Sequence, residues 1–244
     1  MNETMKQIDV IASAKYVDKN KITGSTPVVI DVLRATSVMV TAFEYGVKEI
    51  IPVMSPEEAF QIKSSKTDVI LGGERSAEII PGFDYDNSPF SYMNSSVKGK
   101  TLVMTTTNGT SAIKAVEHAG DVLIASFLNA GEVINRLKDF DRITLVCSGT
   151  NGNYTIEDGL CAGYIIDGLM QLSEVNLTDF AHLVHSFYQN SKNDIRKAAS
   201  VAKHYKVLEQ KGFKRDLEYC FKTDESIIVP VCKDGVITKK QADL

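Results

Sequence analysis

Short apolar stretches alternate with helix-like stretches along most of the chain, and this alternation limits the possible folds more than any other feature. Stretches such as Pro27-Val-Val-Ile-Asp31, Thr101-Leu-Val-Met-Thr105 and Arg142-Ile-Thr-Leu-Val-Cys147 have the length and β-branched content of buried strands. Helical patterns separate them. Strands that alternate with helices in this way form a largely parallel or mixed sheet with helices on both faces. We therefore predict an α/β protein with three layers, α/β/α.

The pattern changes beyond Asn176. Two helical stretches are predicted at about 177–189 and 194–211, and a β-rich tail follows at Ser226-Ile-Ile-Val-Pro-Val231. No Pro-, Ser- or Gly-rich linker marks a domain boundary. A chain of 244 residues is long enough for one large α/β domain. We predict a single domain over residues 1–244, in which the part from about residue 176 returns to the same sheet.

Composition excludes several classes of partner. The net charge of -4 and the lack of a basic stripe argue against nucleic acid. No apolar run approaches the ~20 residues that cross a bilayer, so no membrane partner is expected. The N-terminus has no signal-peptide pattern, and we expect a cytoplasmic protein. The four cysteines lack the spacing of a zinc site. A homodimer, or another homo-oligomer, stays open.

The segment from Thr101 to Ile113 predicts a strand, a small polar turn and the start of a helix. Its turn is Thr105-Thr-Thr-Asn-Gly-Thr110, and Thr110 or Ser111 is expected to cap the helix. Such a turn gathers N–H groups, hydroxyls and the positive end of a helix dipole, which suits an anion such as phosphate. A tight turn before a well-capped helix explains the same residues, because Asn-Gly is a common turn signal.

Charged and polar groups follow the other predicted strands as well. Loops after the carboxyl ends of parallel strands lie on one edge of the sheet, where ligands usually bind. Two arginines suit a phosphate or carboxylate, and carboxylates without His or Cys favour Mg²⁺. The groups collected at this edge are Asp31 with Arg34, Glu74 with Arg75, the Thr105–Thr110 turn, and Ser148–Asn153 with Glu157 and Asp158. Together they indicate phosphoryl chemistry.

Each carboxylate has another interpretation. Thr155 and Asp158 form a capping-box pattern, and Glu74 with Arg75 could be a surface ion pair. Asp31 ends an apolar strand, where an uncompensated carboxylate is costly. Asp31 could also attack phosphorus as in haloacid dehalogenase-type phosphatases, but Leu33 stands where their second aspartate lies. No Walker A pattern occurs, which argues against a P-loop enzyme.

A set of ordered motifs makes the chain recognisable. They are Val28-Val-Ile-Asp-Val-Leu-Arg-Ala-Thr-Ser37, Gly72-Gly-Glu-Arg75, Gly82-Phe-Asp84 with Asn87-Ser-Pro89, Thr105-Thr-Thr-Asn-Gly-Thr110, Ser126-Phe-Leu-Asn129, and Gly149-Thr150 with Glu157-Asp158. This set closely resembles the 2-phosphosulfolactate phosphatase family. The resemblance implies a Mg²⁺-dependent phosphatase that converts 2-phospho-3-sulfolactate to 3-sulfolactate and phosphate, a step of coenzyme M biosynthesis.

The resulting hypothesis gives each polar group a role. The catalytic residues are Asp31, Arg34, Glu74 and Arg75, and the ligands of Mg²⁺ are Asp31, Glu74, Glu157 and Asp158. The substrate-binding residues are Asn87, Ser88, Thr106, Thr107, Asn108, Gly109, Thr110, Ser126, Asn129, Ser148 and Gly149. No residue type distinguishes a sulfonate from a carboxylate. A phosphatase for another 2-phospho-2-hydroxy acid and a non-catalytic anion-binding module are therefore the alternatives.

Overall fold

A computed structural model describes residues 5–240, which form one mixed β-sheet with helices on both sides. The strands are β1 (Lys6–Ile11), β2 (Thr26–Ile30), β3 (Glu49–Pro52), β4 (Val69–Arg75), β5 (Glu78–Ile79), β6 (Thr101–Thr105), β7 (Val122–Ala125), β8 (Arg142–Cys147), β9 (Val175–Leu177), β10 (Val229–Lys233) and β11 (Val236–Lys240).

The α-helices are α1 (Lys19–Ile22), α2 (Ala35–Glu44), α3 (Pro56–Ser65), α4 (Pro89–Tyr92), α5 (Gly109–Val116), α6 (Ala130–Leu137), α7 (Ile156–Leu172), α8 (Asp179–Ser191), α9 (Ile195–Ala199), α10 (Lys203–Gln210) and α11 (Lys214–Tyr219). Short 3₁₀ turns lie at Ala14–Tyr16, Ser95–Val97, Glu117–Ala119 and Phe127–Asn129. Within residues 5–240, no helix combines the length and the apolar character needed to cross a membrane.

The sheet contains two groups of parallel strands. Its order is β5-β4-β6-β3-β11-β10-β7-β2-β8-β1-β9. Strands β4, β6 and β3 form one parallel group, and β7, β2, β8, β1 and β9 form the other. The antiparallel hairpin of β10 and β11 lies between the groups, where Val231 pairs with Leu123 and Ile237 pairs with Ile50. The β-rich tail therefore completes the middle of the sheet.

Alternating side chains of the strands explain the three layers. On β2, Val28 and Ile30 belong to the same core cluster as apolar residues of α6, α7 and α8, whereas Val29 packs with residues of α2 and α5. A smaller cluster joins Leu71 and Val103 to Ala59 of α3. Since successive residues of a strand point to opposite faces, buried strands of this kind need helices on both sides. The predicted α/β/α fold is confirmed.

Two predicted elements differ from the structure. The sequence predicts a short strand at Asp68–Leu71, but strand β4 continues through Arg75, because Gly73 pairs with Thr105 of β6 and the next residues pair with β5. The helix predicted at 194–211 is two helices, α9 and α10, separated by Ser200–Ala202. The change of direction allows α9 to pack against α7 while residues of α10 reach the carboxyl edge of the sheet.

Candidate active site

The carboxyl ends of three neighbouring strands bring polar residues to one edge of the sheet. Ile30 at the end of β2 pairs with Ala125 of β7 and with Cys147 of β8. The residues that follow these strand ends therefore lie near each other, and they are Asp31, Ser126 and Ser148. Helix α5 comes from the other parallel group, and its first residue, Gly109, also contacts Asp31. Strands that are distant in the sheet thus supply one site.

Asp31 is a buried carboxylate at the start of the turn into α2. Its Oδ1 atom accepts a hydrogen bond of 3.2 Å from the N–H of Ala35, and its own N–H donates to the hydroxyl of Thr36. Burial, and after it the nearby charge of Asp158, raises the pKa of Asp31 to about 7. The ionised form of Asp31 is therefore costly without a cation or another donor.

Asp158 holds three segments together. Its Oδ1 atom accepts from the N–H of Val32 at 2.9 Å, and its Oδ2 atom accepts from the N–H of Gly149 at 3.1 Å. The hydroxyls of Thr155 and Ser148 donate to Oδ2 as well. Burial raises the pKa of Asp158, while these hydrogen bonds act in the opposite direction. Asp158 therefore fixes the loops around Asp31. The Thr155 hydroxyl donates to it instead of capping the helix through a backbone N–H.

One carboxylate oxygen of Glu157 lacks such a donor. Its side chain is buried, and its Oε2 atom has no hydrogen-bond partner within the described part of the chain. Burial, together with the charges of Asp158 and Asp31, raises the pKa of Glu157 to about 8. A buried carboxylate oxygen without a donor suits a bound cation. Among residues 5–240, however, no three His, Cys, Asp or Glu side chains are already arranged around a metal position.

Glu74 and Arg75 are neighbours with different surroundings. Glu74 is buried, and its two oxygens accept from the N–H groups of Thr107 and Ala77, each at 2.7 Å. Arg75 donates to the hydroxyl of Thr105 at 2.9 Å and to the carbonyls of Met54 and Glu74. Both residues thus stabilise the turn after β6, and Glu74 also faces the cleft described below.

The turn after β6 is held by reciprocal threonine hydrogen bonds. The N–H of Thr106 donates to the hydroxyl of Thr110, and the N–H of Thr110 donates to the hydroxyl of Thr106, both at 3.1 Å. Helix α5 begins at Gly109, so its N-cap position is Asn108 instead of the predicted Thr110 or Ser111, and the Asn108 side chain makes no capping hydrogen bond. The N–H groups of Asn108 and Gly109 have no acceptor among the described residues. They remain available to an anion.

Arg34 follows the same β2–α2 turn, and its guanidinium is only 2% exposed. Its Nη1 atom lies 2.5 Å from Oδ2 of Asp216 on α11, and its Cζ atom lies 4.0 Å from the ring centroid of Phe213. The Ser88 hydroxyl donates to the other oxygen of Asp216 at 2.9 Å. Arg34 is therefore a buried, oriented guanidinium rather than a free surface charge.

The remaining predicted residues divide into two groups. Asn87 is buried, and its Oδ1 atom has no partner within residues 5–240, which leaves that atom available to a ligand. Asn129 instead accepts from the N–H of Ser126 and donates to the carbonyls of Ile124 and Ile228. These bonds join the end of β7 to the segment before β10. A substrate-binding role for Ser126 and Asn129 stays a prediction.

A cleft of 720 Å³ opens above the strand ends. Seven of the predicted site residues line it, and they are Asp31, Arg34, Glu74, Asn87, Thr106, Thr107 and Asn108. The others lie behind or beside these residues: Arg75, Ser88, Gly109, Thr110, Ser126, Asn129, Ser148, Gly149, Glu157 and Asp158. The cleft thus has a polar floor with one arginine, two acids and hydroxyl and amide groups.

The C-terminal wall of this cleft was not predicted from the sequence. Lys203 and His204 of α10 line it, and Asp216 of α11 supports Arg34 from behind. The Nε2 atom of His204 lies 2.9 Å from the carbonyl of Leu33, and burial lowers the pKa of His204. A carbonyl accepts only, so Nε2 carries the proton and Nδ1 of the neutral ring is an acceptor. No motif in the sequence marks these residues.

Comparison with known proteins identifies relatives over nearly the whole chain. The family profile of 2-phosphosulpholactate phosphatase matches residues 11–235. A probable 2-phosphosulfolactate phosphatase of Clostridium novyi is 45% identical over 96% of this chain and 100% of its own length. Proteins of the same description from Clostridium acetobutylicum and Clostridium tetani are 44% and 43% identical, and each match covers 99% of the relative. The chain belongs to the 2-phosphosulfolactate phosphatase family.

Proposed function

We propose that this protein is a Mg²⁺-dependent phosphatase that hydrolyses 2-phospho-3-sulfolactate to 3-sulfolactate and phosphate, as a step of coenzyme M biosynthesis. One observation carries the proposal: the buried carboxylate of Asp31 lies at the floor of the cleft, against the N-terminus of α5 and near Arg34. Acid, guanidinium and free N–H groups at one point suit a phosphate ester and a cation together.

The donor set fits a hard cation. The charge of Asp31 is close enough to help raise the pKa of Glu157, and Oε2 of Glu157 has no protein donor in the described chain. These two carboxylates would hold Mg²⁺, which commonly keeps water and substrate phosphate as its other ligands. The oxygens of Asp158 and Glu74 already accept hydrogen bonds. These two residues would therefore either hold the loops around the cation in place or bind it as additional ligands. Bound Mg²⁺ would polarise the phosphoryl oxygens.

The protein's own groups have separate tasks in the hydrolysis. Arg34 and the N–H groups of Asn108 and Gly109 bind the phosphoryl oxygens and stabilise the negative charge that develops on them. Attack on phosphorus by water, or first by Asp31, breaks the bond to the oxygen on C2 of the substrate. That oxygen leaves as an alkoxide and takes up a proton that water supplies. If Asp31 attacks first, water then cleaves the bond between phosphorus and the Asp31 carboxylate, so both routes release inorganic phosphate and regenerate the carboxylate.

A second candidate is a phosphatase for another 2-phospho-2-hydroxy acid. The volume of 720 Å³ is within the range of about 300–1,000 Å³ that drug-sized ligands occupy. Leu33, Ile156 and Val207 contribute apolar surface to the cleft walls. A larger or less polar group on C3 would use this surface better than a sulfonate does. The polar floor is common to both candidates.

Phosphate release from a panel of substrates tests the proposal. The purified protein is assayed with 2-phospho-3-sulfolactate and with 2-phospho-2-hydroxy acids that carry hydrogen, carboxylate or apolar groups at C3. We expect the highest kcat/KM for the sulfonate, with Mg²⁺ or Mn²⁺ required. A faster reaction with another member supports the second candidate. Full activity in excess EDTA contradicts the role of metal, and no release from any member points to a non-catalytic anion-binding module.

We also propose that the enzyme works in the cytoplasm as a homodimer without nucleic-acid partners. The net charge of -4 supports the absence of nucleic-acid partners. Sedimentation equilibrium at micromolar concentration tests the oligomeric state, and a monomer mass would contradict the homodimer.

A further inference from the structure

The ion pair between Arg34 and Asp216 joins two distant parts of the chain beside the cleft. The two residues are separated by 182 positions, and both side chains are buried, at 2% and 5% exposure. Arg34 lies in the turn after β2, which carries Asp31, whereas Asp216 lies on α11 behind the cleft. The pair therefore connects the C-terminal helices directly to the predicted catalytic turn.

Two contacts hold the guanidinium of Arg34 in one orientation, and a third holds the carboxylate that it meets. Oδ2 of Asp216 accepts from Nη1, the Phe213 ring stacks 4.0 Å from Cζ, and Ser88 donates 2.9 Å to Oδ1 of Asp216. The ring restricts the plane of the guanidinium, and the carboxylate restricts its rotation within that plane. Ser88 in turn restricts the carboxylate. A planar group held at both its face and one edge has little freedom left.

The remaining donors of Arg34 are directed by this arrangement. A guanidinium has five N–H groups, and among residues 5–240 Asp216 is the acceptor that Arg34 meets. Arg34 also lines the cleft. Because the carboxylate of Asp216 offsets the positive charge of Arg34, Asp216 weakens the attraction of the site for an anion. Its benefit to the site is geometric, because it leaves the other N–H groups facing a ligand in a fixed direction.

We propose that Asp216 is a positioning residue for the phosphatase reaction, which orients Arg34 for the phosphoryl group in the transition state. The inference rests on the proposed function. A purely architectural role is the alternative, in which the pair only ties α11 to the turn after β2. The two roles differ in what happens to the folded protein when the carboxylate is removed.

The test compares variants of the full-length protein with Mg²⁺ present. Asp216→Asn keeps the shape and removes the charge, and Asp216→Glu restores a carboxylate. Glu218→Gln is the control, because Glu218 lies on the same helix and forms an exposed pair of 3.5 Å with Arg196. We expect Asp216→Asn to lower kcat about tenfold to a hundredfold with KM unchanged or lower, since a misplaced group loses transition-state binding. Asp216→Glu should recover part of kcat, and Glu218→Gln should equal the wild type.

A wild-type kcat in folded Asp216→Asn overturns the proposal, and so does a fall in melting temperature that fully accounts for the activity lost. If Asp216→Asn does not fold, Ser88→Ala decides, because it frees the carboxylate and leaves the ion pair intact. We then expect a lower kcat at unchanged KM, and an unchanged kcat overturns the proposal.

Binding of inorganic phosphate separates this inference from the proposed function. A wild-type protein without phosphatase activity contradicts the function, and the Kd for orthophosphate then tests the orientation of Arg34. We expect the effects of Arg34→Lys and Asp216→Asn on Kd to be non-additive. Asp216 acts through the orientation of the Arg34 guanidinium, so its replacement should have little further effect once that guanidinium is absent. Additive effects overturn the positioning role.

Discussion

Oδ2 of Asp31 lies against Gly109, only 2.7 Å from the place that a Cβ atom on this glycine would take. Gly109 begins α5, and Asp31 follows β2, so the contact joins the two parallel strand groups at their carboxyl ends. The carboxylate is thereby held at the positive end of a helix. This contact requires the absence of a side chain at position 109, because the same Cβ would also overlap Ala35.

The first prediction is that Gly109→Ala damages both stability and activity. The added methyl group must displace Asp31 or Ala35, and overpacking of this kind costs ~1–3 kcal/mol. We expect a lower free energy of unfolding in urea and a reduction of kcat/KM by at least about tenfold. Ser111→Ala, two residues further along α5, is the control and should change neither value. A fully active, stable Gly109→Ala protein would show that the contact is relaxed in solution.

The second prediction separates catalysis from folding at Asp31. Asp31→Asn retains the acceptor for the N–H of Ala35 but removes a charge from a buried acidic cluster. We expect kcat to fall by several orders of magnitude, while stability in EDTA holds or rises. Melting temperature in EDTA and kcat with Mg²⁺ are measured on the same preparation. A destabilised variant that keeps normal turnover would contradict the assignment of Asp31.

The third prediction concerns the pH dependence of stability without metal. In the folded protein the pKa of Asp31 is raised to about 7 and that of Glu157 to about 8, above their ordinary values of 3.8 and 4.5. The folded state therefore binds protons more tightly than the unfolded state. The stability from these groups is complete below about pH 4 and is lost as the pH rises through their folded pKa values.

Urea unfolding in EDTA between pH 5 and pH 8.5 measures this dependence. We expect the free energy of unfolding to fall with rising pH more steeply in the wild type than in Asp31→Asn. Added Mg²⁺ should reduce the fall, because a cation stabilises the ionised carboxylates. If the free energy of unfolding depends on pH in the same way in both proteins, Asp31 does not contribute to the pH dependence of stability.

The fourth prediction contrasts adjacent acids. Asp158→Asn places an amide among donors from Val32, Gly149 and Thr155, so we expect a loss of ~1–3 kcal/mol in stability. Glu157→Gln removes a charge from an oxygen without a partner in the described chain. It should keep or raise stability in EDTA and weaken activation by Mg²⁺. If Asp158→Asn weakens activation by Mg²⁺ and Glu157→Gln lowers stability instead, the cation is bound at Asp158.

The fifth prediction compares two arginines. Arg34→Lys keeps the charge but loses the planar guanidinium that binds Asp216 and stacks on Phe213. We therefore expect kcat/KM to fall by an amount that corresponds to ~2 kcal/mol or more of lost transition-state stabilisation. Arg75 donates to Thr105 and to backbone carbonyls and does not line the cleft. Arg75→Lys should affect stability more than turnover. Equal losses of kcat/KM in the two variants would contradict this distinction.

The order of strands and helices could be predicted from the sequence because it depends on local properties. Alternating apolar residues, capping residues and glycines act over a few positions, and they predicted an α/β/α fold that the structure confirms. The ordered motifs likewise pointed to the family before any contact was known. Asp31, Glu74 and the Thr105–Thr110 turn could be selected since each follows or ends a predicted strand.

The contacts that complete the site depend on tertiary packing and left no local trace. Asp216 lies 182 positions from Arg34 and belongs to an ordinary helical pattern, so no spacing rule joins them. The same holds for His204 beside Leu33. The β-rich tail was predicted to return to the sheet, but its position in the middle of the strand order, as the hairpin of β10 and β11, was not. Local preference specifies elements, whereas long-range burial and charge pairing decide which elements meet.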